Sequence, residues 1–192
     1  VKGNANFFNE SDGVWYEDEA FSIPASDDTA KIAEALQYAI DNRLKGVTFP
    51  DKNFLISRNP DDPTVSFLIQ GVNNFKIRNN GAKFISAPDI SKGSISLFKI
   101  SGCKDFDFSG ADFEVYSRGE TTVRRNLRVI EVTAHQSELN VTTSPYVTSE
   151  RVTIKRNKFK VTYDTGFDYS NHALYGIWAH SPQMSEEKFV KD

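Results

Sequence analysis

One short pattern occurs three times between residues 67 and 161, with no helical pattern between the copies. Each copy has two alternating apolar residues, a corner of Gly or Asn, and a further apolar position of opposite parity. The copies span residues 75–84, 106–113 and 152–159. Because the side chains of a strand alternate between its two faces, a straight strand would keep its parity. The change of parity predicts a corner where the chain turns while both strands keep their apolar side chains in one interior.

The repeat includes a further strand before each copy. This strand carries two alternating apolar residues: Phe67 and Ile69, Phe98 and Ile100, Ile130 and Val132, and, where a fourth copy begins, Ile177 and Ala179. A period of about 20 to 50 residues built from strands alone is typical of a β-solenoid. In that architecture each coil buries its apolar face only by stacking on the next coil.

An antiparallel β-sandwich is the structural alternative. Asn80-Gly81 between alternating strands also fits a type I′ hairpin turn. The other two corners lack Asn-Gly, whereas the parity changes at all three. We therefore expect an all-β chain that folds as a single-stranded parallel solenoid.

The only strong helical pattern precedes the first coil. Ile32, Leu36 and Ala39 are spaced as one helical face, with Ala35 and Ile40 beside them. We expect Asp27 or Asp28 to be the N-cap and Gly46 to stop the helix. Its expected role is to cover the exposed end of the solenoid core, since solenoids need terminal caps.

These patterns divide the chain into three parts. Residues 1–24 are aromatic and acidic without firm periodicity and are interpreted as a linker or short strands. Residues 25–46 form the capping helix, and residues 47–192 form the coils. Residues 185–190 resemble residues 148–153, so we expect the native protein to continue with more coils.

Composition narrows the classes of partner. The 192 residues carry a net charge of −3 with both signs interspersed, which argues against a nucleic acid or insertion into an anionic membrane. The single cysteine, Cys103, is expected to be a small core residue. The histidines at 135, 172 and 180 lack metal-ligand spacing, so neither a metal nor a cofactor is expected.

The N-terminal part resembles a known family. The matching segments are Asp27 to Ala35, Ile40-Asp41, Gly46 to Pro50 and Phe54 to Ile56. Together they resemble the opening of pectate-lyase-like right-handed parallel β-helix proteins, a motif common in bacteriophage tailspikes and capsule depolymerases. The sequence departs from the usual family pattern at two places. Only one glycine, Gly46, precedes the strand, and Phe54 stands where tyrosine is frequent.

The resemblance implies a right-handed parallel β-helix and a homotrimer in the virion tail or outside the cell. It also implies a bacterial capsular polysaccharide or lipopolysaccharide as partner. It does not specify the reaction, because lyases, glycosidases and non-enzymatic adhesins share this fold.

Outward side chains follow from the parity of the inward ones. On the strand after each corner they form two columns: Lys83, Asp112 and Lys158, then Ile85, Glu114 and Lys160. Opposite charges alternate between neighbouring coils. We interpret them as stacked ion pairs on a solvated face, each worth about 0.2 to 1 kcal/mol.

The strand before each copy has chemically mixed outward columns. They read Leu68, Lys99, Glu131 and Trp178, then Gln70, Ser101, Thr133 and His180. An indole beside charged groups is typical of sugar sites. A purely structural interpretation stays open, in which Lys99 and Glu131 form an ion pair beside a half-buried Trp178. Three insertions flank this strand, at 117–126, 135–149 and 164–172.

These residues lead to two hypotheses. In the first, the chain belongs to a phage tailspike or tail fibre that binds and cleaves a polysaccharide; hydrolysis would use Glu131 with Asp164 or Asp168 as its partner. Cleavage by β-elimination would instead use Lys99 or His180 as base. The expected substrate-binding residues are Lys99, Trp178, His180, Tyr146 and Tyr169. In the second, the chain is a virion structural or receptor-binding module without chemistry.

Overall fold

The computed structural model describes residues 28–117, 125–136, 146–163 and 172–180. These form a helix followed by four coils of three strands. The elements are α1 (Thr29–Asp41); coil 1 with β1 (Gly46–Phe49), β2 (Asn53–Ile56) and β3 (Val65–Gln70); coil 2 with β4 (Lys76–Asn79), β5 (Lys83–Ser86) and β6 (Ile95–Ser101); coil 3 with β7 (Lys104–Ser109), β8 (Asp112–Ser117) and β9 (Arg125–Thr133); the pair β10 (His135–Gln136) and β11 (Tyr146–Val147); and coil 4 with β12 (Glu150–Lys155), β13 (Lys158–Tyr163) and β14 (His172–Ala179).

The coils stack into three parallel sheets with one strand from each coil. The first sheet has the order β1-β4-β7-β12, the second β2-β5-β8-β13, and the third β3-β6-β9-β14. Each strand pairs in parallel with its equivalent one coil away. This is a parallel β-helix with an N-terminal helix, as predicted. Within the described residues the only antiparallel pair is β10 with β11, so the antiparallel sandwich is wrong.

The predicted change of parity occurs at a left-handed residue between the first and second sheets. Gly81, Gly110 and Arg156 hold this corner in successive coils, with φ of 86°, 81° and 58°. A Cβ added at Gly110 would lie 2.4 Å from the carbonyl oxygen of Asn79. Glycine is therefore required at the middle corner because a side chain has no space there, whereas Arg156 takes the same left-handed conformation in the next coil.

The interior is built from phenylalanine columns. Phe54, Phe84, Phe113 and Phe159 stack in order, with ring centroids 5.5, 5.5 and 5.3 Å apart. Phe75 and Phe106 stack in a second column at 6.1 Å, and Val152 pairs with Phe106 in the next coil. The predicted inward columns are confirmed for these residues; Phe189 lies outside the described part of the chain.

Helix α1 lies against the first coil. Ile32, Leu36 and Ala39 are buried and belong to the same core as the phenylalanine columns. Asp28 is the N-cap, and its Oδ2 accepts a hydrogen bond from Leu55 N at 3.2 Å, which ties the helix to β2. The helix therefore packs on the end of the core, as predicted. No helix among the described residues is long and apolar enough to cross a membrane.

The predicted helix stop at Gly46 is wrong. The helix ends at Asp41 with Asn42 as C-cap, and Arg43 takes the left-handed conformation that follows, with φ of 53°. Gly46 begins β1 instead. Its φ is 148°, and a Cβ there would lie 1.9 Å from the carbonyl oxygen of Lys76. The glycine is needed for close packing of β1 on β4 rather than for ending the helix.

Cys103 is a free thiol with 0% exposure in the core, as predicted. Its Sγ lies 3.4 Å from the carbonyl oxygen of Ile69. Burial raises the pKa of this thiol. Because the thiolate is the reactive form, burial and the raised pKa both disfavour reaction of this thiol.

Candidate functional site

The outward columns of the third sheet follow the predicted register. Lys99 pairs with Leu68 on one side and Glu131 on the other. Trp178 pairs with Glu131 in the next coil. His180 N donates to the carbonyl oxygen of Val132 at 2.9 Å, which continues that pairing just beyond β14. The predicted neighbours therefore lie on one outer face.

A bend in the third sheet draws side chains of this face together. Leu97 and Phe98 are adjacent in sequence, yet both are 0% exposed and belong to the core. Val129 and Ile130 repeat this in the next coil. Two consecutive inward residues mean that the outward residues on either side are three positions apart and converge on the outer face.

Glu131 is the centre of the converging side chains. It is 5% exposed although it points away from the core. Its Oε2 accepts a hydrogen bond from Ser96 Oγ and lies 3.7 Å from Arg128 Nη1. Its Oε1 lies 3.1 Å from His180 Nε2. A buried carboxylate is tolerated only with such partners, and here both of its oxygens have them.

The hydrogen bond to Glu131 decides the tautomer of a neutral His180. A carboxylate oxygen accepts only, so the proton between the two groups belongs to His180 Nε2. The other ring nitrogen, Nδ1, then has a lone pair to offer. Because the His180 side chain is 33% exposed, this face of the molecule presents an oriented imidazole to solvent.

Trp178 is packed into the same cluster. The guanidinium carbon of Arg128 lies 3.9 Å from the indole centroid, and the His180 ring stacks on the indole with centroids 3.9 Å apart. Tyr175 stacks at 5.9 Å. The indole therefore holds the guanidinium and the imidazole in place by stacking and cation–π contact. We call Ser96, Arg128, Glu131, Tyr175, Trp178 and His180 the Glu131 cluster.

The predicted ion pair between Lys99 and Glu131 is wrong, because other basic residues are the partners of Glu131. Arg128 and His180 are the basic groups on Glu131. Among the described residues Lys99 forms no ion pair. The bend explains the difference, because it brings Arg128 of the same strand onto the carboxylate that strict alternation assigned to Lys99.

Sequence reasoning missed Ser96, Arg128 and Tyr175. A signal was present, since each strand interrupts its alternation with two adjacent residues of the inner face. These pairs are Leu97-Phe98, Val129-Ile130 and Gly176-Ile177. Such a pair marks a bend, and the residue just before it points outward.

The other predicted site residues are not brought to this cluster by the described structure. Tyr146 lies in β11, and its side chain is not described. Asp164, Asp168 and Tyr169 lie outside the described residues. In the described strands of the third sheet, Glu131 is the only carboxylate. A second carboxylate for hydrolysis is therefore not located.

The charged columns of the second sheet are structural, as predicted. Glu114 lies 2.6 Å from Lys160 and 3.5 Å from Lys83, and Asp112 lies 3.4 Å from Lys158. Burial alone would raise the pKa of Glu114, but the hydrogen bond from Lys160 and the two lysine charges outweigh it and lower that pKa. Ile85 of the same column is only 3% exposed, so this part of the face is covered rather than solvated.

The described residues contain no group of three or more His, Cys, Asp or Glu side chains that could hold a metal ion. Comparison with protein-family models, with curated proteins and with solved structures found no match.

Proposed function

We propose that this protein is part of a phage tailspike or tail fibre that binds and depolymerises a bacterial surface polysaccharide on the outer face of its third sheet. The observation that carries the proposal is the buried carboxylate of Glu131, held by Ser96, Arg128 and His180. Apolar side chains of similar volume stabilise such a position as well as an ion pair, or better. The cluster therefore suggests a role beyond folding.

The geometry favours β-elimination over hydrolysis. Glu131 engages His180 through Nε2 and leaves Nδ1 as an oriented base. In an elimination this base takes the proton from the carbon next to a uronate carboxylate. The electron pair forms the new carbon–carbon double bond, the glycosidic bond breaks, and the leaving oxygen takes up a proton. Lys99, which forms no ion pair among the described residues, is the cation to neutralise the uronate.

Hydrolysis is the weaker variant of the same proposal. A glycosidase needs two carboxyl groups about 5 to 9.5 Å apart. Glu131 has both oxygens engaged, and its expected partners Asp164 and Asp168 lie outside the described residues.

A product assay separates the two reactions. The protein is incubated with purified capsular polysaccharide from candidate host bacteria, and two signals are followed in parallel. We expect ultraviolet absorbance from unsaturated uronates to rise together with reducing ends. Reducing ends without that absorbance would indicate hydrolysis and would transfer the central role from His180 to Glu131.

A receptor-binding module without chemistry is the second candidate. The observation that favours it is that the faces of Trp178 and both oxygens of Glu131 already have partners within the protein. Polysaccharide binding with no product after long incubation would select this candidate and contradict the first.

The proposed assembly is a homotrimer, as the resemblance to tailspikes implies. Light scattering on the native protein measures the mass directly. A monomeric mass would contradict this part of the proposal.

A further inference from the structure

The outer face of the first sheet carries a second charged surface, on coils 1 and 2. A groove of about 330 Å³ lies there, between the start of β1 and the neighbouring β4. Its lining residues are Lys45, Gly46, Val47, Thr48, Asn74, Lys76 and Arg78. We call it the basic groove. It contains three cationic side chains and no acidic one.

The fold places these cations side by side. Lys76 N donates to the carbonyl oxygen of Lys45 at 2.9 Å, which fixes the two residues on neighbouring coils. Lys76 and Arg78 are two positions apart in β4, so both point outward, about 6 to 7 Å apart along the strand.

Within the described residues the cations of the groove form no ion pair, in contrast to those lower on the same sheet. Asp107 lies opposite Lys76 in the next coil and interacts with its charge, but the Asp107 carboxylate is bound by Lys155. In coils 3 and 4, Lys155 lies 2.7 Å from Asp107, and Arg151 lies 2.5 Å from Asp105. Within the described part of the chain, none of Lys45, Lys76 and Arg78 forms an ion pair. Like charges held close together repel one another. In coils 3 and 4 ion pairs offset this repulsion, whereas in the groove an anionic ligand would do so.

We propose that the basic groove binds a stretch of anionic polysaccharide through its carboxylate or sulfate groups, separately from the Glu131 cluster on the third sheet. Thr48 and Asn74 supply neutral hydrogen-bonding groups for sugar hydroxyls beside the cations. The groove has no aromatic lining residue, whereas sites for single-stranded nucleic acid use aromatic side chains on which bases stack. This composition favours a glycan over a nucleic acid.

The test measures binding of a galacturonate hexasaccharide by calorimetry at low ionic strength. The groove variant combines Lys45→Gln, Lys76→Gln and Arg78→Gln. The control combines Arg151→Gln, Lys158→Gln and Lys160→Gln, which removes the same charge from cations that are paired with Asp105, Asp112 and Glu114. Thermal unfolding confirms that both variants fold.

We expect the groove variant to bind the hexasaccharide about tenfold more weakly and the control to bind within about twofold of the wild type. The affinity of the wild type should also fall as salt is added. Equal losses in the two variants would overturn the proposal, because general charge would then explain binding. Equal affinity for a neutral dextran oligosaccharide, or tighter binding of single-stranded DNA, would overturn it too. A His180→Ala variant should bind the hexasaccharide as the wild type does. This result would show that the basic groove binds independently of the Glu131 cluster on the third sheet.

Discussion

Glu131 and His180 lie on neighbouring coils and are joined by a hydrogen bond of 3.1 Å between Oε1 and Nε2. The carboxylate is buried and the imidazole is partly exposed. A buried acceptor thus orients a solvent-facing ring, which is how proteins fix the tautomer of a histidine base.

Glu131→Gln should destabilise the fold by about 3 kcal/mol, because it leaves Arg128 half-buried without its counter-charge. Urea unfolding measures this free energy. The matched control is Glu150→Gln, whose side chain is 42% exposed and is paired with Lys104. The control should cost less than about 1 kcal/mol. Equal costs would mean that the Glu131 cluster is energetically an ordinary surface ion pair.

The alternation of inward and outward side chains predicts that substitutions of two adjacent residues differ greatly in their effect on the free energy of unfolding. Phe106→Ala deletes a buried ring that stacks on Phe75, and should cost about 3 to 5 kcal/mol in unfolding free energy. Asp107→Ala removes a partly exposed carboxylate paired with Lys155, and should cost under about 1 kcal/mol. If the aspartate substitution were the more damaging one, the inward and outward faces would be reversed.

Crowding at Gly110, in the corner between the first and second sheets, predicts a larger loss of stability on substitution there than at Gly71, which follows β3. Gly110→Ala should destabilise the protein by at least about 2 kcal/mol, since its Cβ would meet the Asn79 carbonyl at 2.4 Å. Gly71→Ala should cost about 1 kcal/mol, because φ is 66° but the space around the Cβ is open. Thermal unfolding of the two variants gives the comparison, and a smaller effect at Gly110 would contradict the corner geometry.

The lysine pairs on Glu114 predict how stability depends on pH. The folded pKa of Glu114 is lowered, so the unfolded state binds more protons at acidic pH. The contribution of Glu114 is therefore complete above its unfolded pKa of about 4.3 and is lost as pH falls through the lower folded pKa. Urea unfolding from neutral pH to about pH 3 should show a shallower acid loss in Glu114→Gln than in the wild type. Parallel curves would show that the two lysines do not stabilise the carboxylate.

Alternation of side chains was enough to predict the columns of Phe84, Phe113 and Phe159. It succeeds there because a single left-handed residue turns the chain and the strands on either side are straight. It failed at Val129-Ile130, where two consecutive inward residues bend the strand and bring Arg128 rather than Lys99 to Glu131. Ion-pair partners depend on such local geometry, whereas inward columns depend only on parity.

The residues expected to complete the site lie in long insertions. Asp164, Asp168 and Tyr169 fall in a stretch of sequence without a periodic apolar pattern, so parity cannot place them, and they lie outside the described residues. The sequence could therefore predict the face of the site but not its full set of side chains.

The most direct test of the central claim is the rate of double-bond formation on capsular polysaccharide by the wild type, His180→Ala and the paired-surface control Lys158→Ala. We expect the wild type and the control to release unsaturated products at the same rate. His180→Ala should be slower by at least about 100-fold with an unchanged unfolding temperature, because the oriented base is gone. Cleavage by His180→Ala at the wild-type rate would contradict the assignment of the third sheet as the site of chemistry.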